Sequence, residues 1–454
     1  MKHLFSKHWS VVCSCLFLTI GGNQTFAKSV AANEGLGILS TASDVTSFAL
    51  PSDANPGVYS PENNPGISSL ENNLGISSLE NNPSVPSLEN NLGALSSDKK
   101  LTAGVRIKRL NGKKPLISMD NFKEAGYAEA DGKNINGPSV VKLPKWLPEE
   151  KRVDKHAKYY LYFAHHHGKY IRMAWSEKIT GPYHLVGDSP LYGKYANAAL
   201  ALDKIPPVLG EVSTGNHVAS PVVIVDDEQH EFKLYYHAPA QYKNKGRRIN
   251  QVTFFATSPD GLQFHKNIAP VYLGIFYFSP FKVNNRWYAF TNRGELCEAP
   301  EGGEIAVPKD FNAKKPLWKN WGRFFEKTIA DYCKRNDIKE VIGVRHLSQV
   351  QKGNVLHVFF SSREDTPERL YHVCVDVSDE DCRNWKVGPV ELVMSAEETW
   401  EGGQLTPKKS VDGYSPKPVN EIRDTFVYTE NGRHYLFYCA GGERGIGVAS
   451  LKLK

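Results

Sequence analysis

Residues 158–186 read KYYLYFAHHHGKYIRMAWSEKITGPYHLV. Tyr160, Tyr162 and Ala164 fall on one face of a strand, and Ile171, Met173 and Trp175 on one face of the next, because side chains alternate between faces along a pleated strand. Gly168 marks the turn between them and Gly181-Pro182 ends the second strand, since these residues punctuate extended segments. The stretch is a meander unit.

Weaker copies follow: FKLYYHAPA with QVTFFATSPDGLQFHK (232–266), RWYAFTNRGELCEA (286–299), VLHVFFSSREDTPERLYHVCVDVS with NWKVG (355–388), and HYLFYCAGGERGIGVASLKL (434–453). One more apolar run precedes each unit, beginning at Gly137, Ala219, Phe278, Val344 and Ile422. Five sets of about four strands predict an all-β, five-bladed β-propeller. The last blade ends with the chain, so its outer strand is expected from LTAGVRIKRL (101–110), because an unfastened ring leaves open edges.

Residues 1–27 read as a signal peptide. Lys2 and Lys7 precede an apolar core from Val11 to Ile20, and Thr25-Phe26-Ala27 suits cleavage. The core is too short to span a bilayer. The expectation is a secreted or periplasmic protein with no transmembrane segment after cleavage. Residues 28–98 repeat Glu-Asn-Asn at Glu62, Glu71, Glu80 and Glu89, a period of nine. This low-complexity segment has too little apolar surface to offset the entropy of ordering and reads as a disordered spacer. It carries one Lys and eight acids; with two Lys in the leader and +6 overall, residues 99–454 carry +11. The basic residues are scattered and accompany no nucleic-acid motif. An anionic saccharide or plain solubility suits that charge better. Residues 312–342 read as a short helix inserted between blades three and four. Cys297, Cys333, Cys374, Cys382 and Cys439 remain after cleavage, an odd number without a disulfide framework or a CxxC knuckle.

Residues that begin the innermost strands face a common funnel. They include Asn136, Ser139, His217, Ser220, Tyr277, Ser279, Arg345, His346, Arg423 and Asp424, with His165, His166, His167, Arg172, His237, Arg363, Glu368, Arg369 and Glu401 on adjoining loops and strands. Their richness in His, Arg and acids points to a shared site.

The phrases YYLYFAHHHGKYIRMAWSEKITGPY (159–183) and RDTFVYTENGRHYLFYCAG (423–441), with the Pro-containing blade starts, resemble the five-bladed glycoside hydrolases of families 43, 32 and 117. The resemblance covers about residues 130–454 and implies hydrolysis of a glycosidic bond in an extracytoplasmic saccharide. It also implies three funnel acids, the first two typically just before a Pro. Here those two slots hold Gly137 and Ser220, and YFSPF (277–281) has no Glu near Pro280. Acid and base must come from elsewhere. Asp424 beside Arg423 is the expected base, Glu401 its partner carboxylate, and His217, His346 or the His165-His166-His167 run the acid, since an imidazole titrates near working pH. A His acid resembles the family 117 arrangement. Ser220, His165, His166, His167, Arg172, His237, Arg345, Arg369 and Arg423 are the expected substrate contacts. The same side chains suit a metal: His165 and His167 form an HxH pair, and a Ca²⁺ ion or a water-filled funnel remains open. The competing functions are a carbohydrate-binding propeller without hydrolysis and a surface-interaction protein acting through residues 28–98. Replacement of Asp424 by Asn is expected to leave the melting temperature nearly unchanged.

Overall fold

The computed structural model describes residues 104–127, 129–166, 168–186, 198–209, 212–242, 248–300 and 318–453. The leader, the nine-residue repeats and His167 lie outside them. Five antiparallel sheets follow one another along the chain. Blade one is Asn136–Lys142, Tyr159–Ala164, Tyr170–Ser176 and His184–Leu185; blade two is Ala219–Asp226, Glu231–Tyr242, Arg248–Ser258 and Lys266–Leu273. Blade three is Ser279–Val283, Arg286–Phe290, Glu295–Glu298 and Lys319–Arg323; blade four is Gly343–Lys352, Val355–Arg363, Leu370–Asp376 and Lys386–Val387. Blade five is Ile422–Glu430, Arg433–Ala440 and Gly445–Leu453, completed by Val105–Arg109. The architecture is the five-bladed β-propeller.

Packing closes the ring. A sheet buried on both faces needs a neighbour on each side, and apolar clusters fill every junction. Tyr162 and Met173 meet Leu234 and Phe254 between blades one and two. Tyr235 and Phe255 meet Phe278 and Trp318 between two and three. Phe290 meets Phe360 between three and four. Leu370 and Phe359 meet Leu436 and Leu451 between four and five. Phe437 and Val448 meet Leu161 and Ala174 between five and one. The fastening is sequence-distant: Val105 pairs with Leu453, Ile107 with Leu451 and Arg109 with Ala449. Ile117 then pairs with Ile446.

The segment read as a helix does two things. Lys319–Arg323 is the outer strand of blade three, and among the described residues of the segment Glu326–Arg335 is helical, burying Ile329, Tyr332 and Cys333. Among the described residues no helix is long and apolar enough to cross a membrane. Cys297, Cys333, Cys374, Cys382 and Cys439 are all free thiols.

One backbone feature recurs at the funnel end of the first strands. Gly137, Ser220, Tyr277, His346 and Asp424 have φ of 61°, 50°, 54°, 35° and 56°. In blades one, two, four and five the pairing register breaks at this residue. A left-handed backbone is free for glycine and costs other residues on the order of 1 kcal/mol or more. Four of the five blades bear that cost, which turns their side chains toward the centre.

Candidate functional site

Those five positions meet. The His346 Nδ1 is in close contact with Asp424 Oδ1, and its Nε2 lies 3.0 Å from Ser220 Oγ. The Gly137 amide donates to Asp424 Oδ2 at 3.2 Å. The Tyr277 ring lies over the imidazole, centroids 3.6 Å apart. Asp424 is buried; burial raises its carboxyl pKa, but the contact with His346 and the nearby Arg423 charge outweigh burial and hold it below the ordinary value. An ionised Asp424 beside Nδ1 favours the tautomer protonated there, in which Nε2 accepts from the Ser220 hydroxyl. The His346 side chain retains 14% exposure.

His237 joins this cluster from the second strand of blade two. Its ring lies 5.3 Å from Tyr277 and 6.1 Å from His217. Burial first, then the His217, His346 and His166 charges, push its pKa well down, so it is neutral.

A buried charge network adjoins the centre. Arg423 bonds Glu421 at 2.6 Å, Glu443 at 3.0 Å and the Gly413 carbonyl at 2.9 Å, with Glu368 at 3.3 Å. Arg345 donates to Glu368 at 2.9 Å and to the Val411 carbonyl at 2.9 Å. Glu443 also accepts from Asn134 at 2.5 Å and Asn136 at 3.1 Å, and lies 3.4 Å from His166 Nδ1. Burial raises the Glu443 pKa, but His166, Arg423 and Asn134 together hold it far below the carboxylate range. Glu421 goes the other way. Burial, with Glu368 and Glu443 nearby, pushes it up to about 7 against the pull of Arg423. The network therefore holds one carboxyl that can carry a proton near neutrality.

The structure assembles Asp424, His346, Ser220, His217 and His237 around the centre, and Arg423, Arg345 and His166 in the network beside it. Four expected residues are engaged elsewhere. Glu401 is bound by Arg109 through two bonds of 2.8 Å, by the Tyr438 hydroxyl at 2.8 Å and by the amides of Glu397 and Glu398. It anchors the closing strand and has no oxygen left for a substrate. Arg172 holds the carbonyls of Asp131, Asn134 and Ala164, fixing the loop that carries Asn134. Arg369 forks onto Asp365 at 2.9 and 2.7 Å. His165 turns its Nδ1 to the His166 carbonyl at 2.5 Å. The positive charge that a funnel Ca²⁺ would bring to Glu368, Glu421 and Glu443 is already supplied by Arg345 and Arg423. Sequence reasoning missed Asn134, Glu421 and Glu443. Glu443 stands in the Gly-rich turn GGERG (441–445), the place in blade five that His165 and His166 occupy in blade one, and that correspondence was the available signal.

Fold and centre define a class: a five-bladed propeller with an Asp–His–Ser relay in its funnel. No family model matches the chain. Among curated proteins the chain is similar to an uncharacterized protein, R118, of Acanthamoeba polyphaga mimivirus, 26% identical over 328 residues, spanning 70% of this chain and 83% of that one. Among solved structures it is similar to an α-L-arabinofuranosidase from Lactobacillus brevis, at 10% identity and TM-score 0.41 over 70% of this chain and 90% of that chain. It is likewise similar to an endo-1,4-β-xylanase from Bacteroides thetaiotaomicron, at 12% identity and TM-score 0.41 over 69% and 89%. The five-bladed fold expected from the blade phrases is shown by the sheets themselves, and no residue role passes from these proteins to this one.

Proposed function

We propose that the protein hydrolyses a glycosidic bond in an extracytoplasmic saccharide, with His346 as the proton carrier. The carrying observation is the placement of His346 between ionised Asp424 and Ser220 at the point where the first strands converge. Asp424 orients the imidazole and stabilises the imidazolium, so Nε2 can take a proton from an attacking water hydrogen-bonded by Ser220. Hydrolysis needs a second group to protonate the leaving oxygen. Glu421, pushed up to about 7, is the carboxyl suited to that step. Tyr414, exposed and 5.7 Å from the His166 ring, offers an apolar face for a sugar ring. Secretion through the leader would place the enzyme with such substrates.

The same atoms favour a second reading. Ser220 Oγ, His346 Nε2 and Nδ1, and Asp424 follow the order of nucleophile, base and orienting acid, and Ser220 is held left-handed as nucleophiles on strained turns are. That order suits removal of an ester-linked acyl group from a saccharide. Turnover of a panel of glycans and acetylated glycans decides. Replacement of Ser220 by Ala abolishes ester cleavage but leaves glycosidic hydrolysis within about tenfold, because a water replaces one hydrogen bond. Saturable glycan binding with no turnover of either bond would leave a carbohydrate-binding propeller and sink both enzyme readings.

A further inference from the structure

Blade four holds a second cluster that the funnel chemistry does not use. His357 lies on its second strand, His372 and Cys374 on its third. His357 and Cys374 are cross-strand partners, and His372 pairs with Phe359 two residues along. Period-two alternation therefore sets all three side chains on one face. The Nδ1 of His357 lies 3.0 Å from Nε2 of His372 and 3.6 Å from Cys374 Sγ, and Sγ lies 4.0 Å from that Nε2. The residues are 4%, 0% and 4% exposed.

A tetrahedral metal with nitrogen at about 2.0–2.1 Å and sulfur at about 2.3 Å separates its ligands by roughly 3.3 Å for N–N and 3.6 Å for N–S. The observed triangle departs from that by a few tenths of an ångström on two edges and matches on the third. A hydrogen bond between the two imidazoles is the alternative. Extended to the thiol, it accounts for the distances but not for two imidazoles and a thiol, ligands of one metal class, converging in a buried seam beside Phe359. Burial sets the protonation states. It pushes His357 down to about 4 and His372 to about 3, so both imidazoles keep their lone pairs at neutral pH. It pushes the Cys374 thiol up to about 11, so the thiolate forms only when a cation displaces its proton.

We propose that His357, His372 and Cys374 bind one divalent transition metal of the zinc class, which staples the second and third strands of blade four. Two neutral imidazoles and one thiolate leave the site one positive charge. Glu391, whose backbone pairs with His372 and whose charge acts on Cys374, stands on the next strand to offset it. Lys352 and His434 act on His357 in the opposite sense, so the carboxylate matters to the balance. Soft sulfur with imidazole nitrogen selects zinc over calcium or magnesium. The site lies outside the funnel, and its role is structural.

The whole protein is unfolded in denaturant with chelator, then refolded with Zn²⁺, with Co²⁺ or with chelator. The expected result is about one Zn²⁺ per chain surviving dialysis, and for Co²⁺ the visible bands of a tetrahedral site with a thiolate charge-transfer band. His372→Gln and Cys374→Ser should each lose the charge-transfer band, while His434→Gln keeps it. If either variant fails to fold, the wild-type spectrum decides alone. Wild-type protein that refolds in excess metal yet retains less than about a tenth of an equivalent, with the same melting temperature in zinc and chelator, overturns the proposal.

Discussion

Two buried carboxylates, Asp424 in blade five and Glu401 in the turn before it, look alike by most measures. Asp424 is 2% exposed and Glu401 0%. Each is raised by burial, and each is then drawn below its ordinary pKa by the groups that contact it. The partners separate them. Glu401 meets a guanidinium fork, a phenol and two amides, which fill every acceptor site it has. Asp424 meets an imidazole whose other nitrogen continues to Ser220. One carboxylate ends a network, and the other passes its effect on. Burial and a shifted pKa mark both; a partner with a second reactive atom marks only the one proposed to act.

The largest expected difference between them is in turnover. His346→Gln and Asp424→Asn should lower kcat on the productive substrate by about 10²–10⁴-fold, the range of a lost general base. Glu401→Gln, corrected for folded fraction, should leave it unchanged. Loss of activity in folded Glu401→Gln, or full activity in Asp424→Asn, would erase the distinction. The sequence-based expectation that Asp424→Asn is silent in melting needs revision. The carboxylate is buried against an imidazole, not surface-like, so the variant should lose on the order of 1–3 kcal/mol.

Stability should reverse the ranking. Glu401→Gln removes the buried anion of Arg109 beside the strand that closes the ring and leaves it the exposed pair with Glu397. Urea unfolding should show a loss of about 3 kcal/mol, the low end for a broken buried pair because Arg109 keeps some water. Arg109→Met, which removes the other partner, should cost a similar amount.

How far the chain could be read without coordinates follows from the same contrast. The blades were legible because strand alternation is local, and because aromatic runs such as YYLYFA (159–164) recur. The closing strand was legible from an argument about edges. Asp424, His346 and Ser220 were legible as blade starts. Their mutual contacts were not, since those depend on how register breaks in separate blades turn side chains inward. Glu401 misled because TWEGGQL (399–405) resembles a loop entering the funnel, while its partner Arg109 lies far away in sequence. Arg172 and Arg369 misled for a related reason: a buried arginine near a site more often ties backbone or a carboxylate than a ligand.

Glu421 gives a smaller, pH-dependent effect within the network. Its folded pKa is raised from 4.5 to about 7, so the folded state holds a proton that the unfolded state releases. Its contribution is favourable at low pH and declines as pH rises from about 4.5 through about 7, opposite to Asp424 and Glu443, whose lowered values favour folding above the unfolded pKa. Glu421→Gln should therefore flatten the fall in melting temperature between about pH 5 and pH 8 and be relatively more stable at the upper end. If the variant tracks wild type across that window, Glu421 is not the proton-holding member, and the acid role assigned to it fails with it.

The smallest effect concerns the N-terminal side, where two cuts differ. Residues 28–98 are acidic, repetitive and poor in aromatics. The closing strand begins after them, at Val105. Removing 28–98 should leave the melting temperature within about a degree or two, as for changes outside the packed domain. Removing residues through Leu110 takes away every pair from Val105–Leu453 to Arg109–Ala449, together with the guanidinium that Glu401 requires. That chain exposes the edge of Gly445–Leu453 and should melt many degrees lower or aggregate. A large loss on the shorter cut would show that the repeats pack on the propeller. Equal melting of both truncated chains would show that ring closure does not depend on the strand that fastens it.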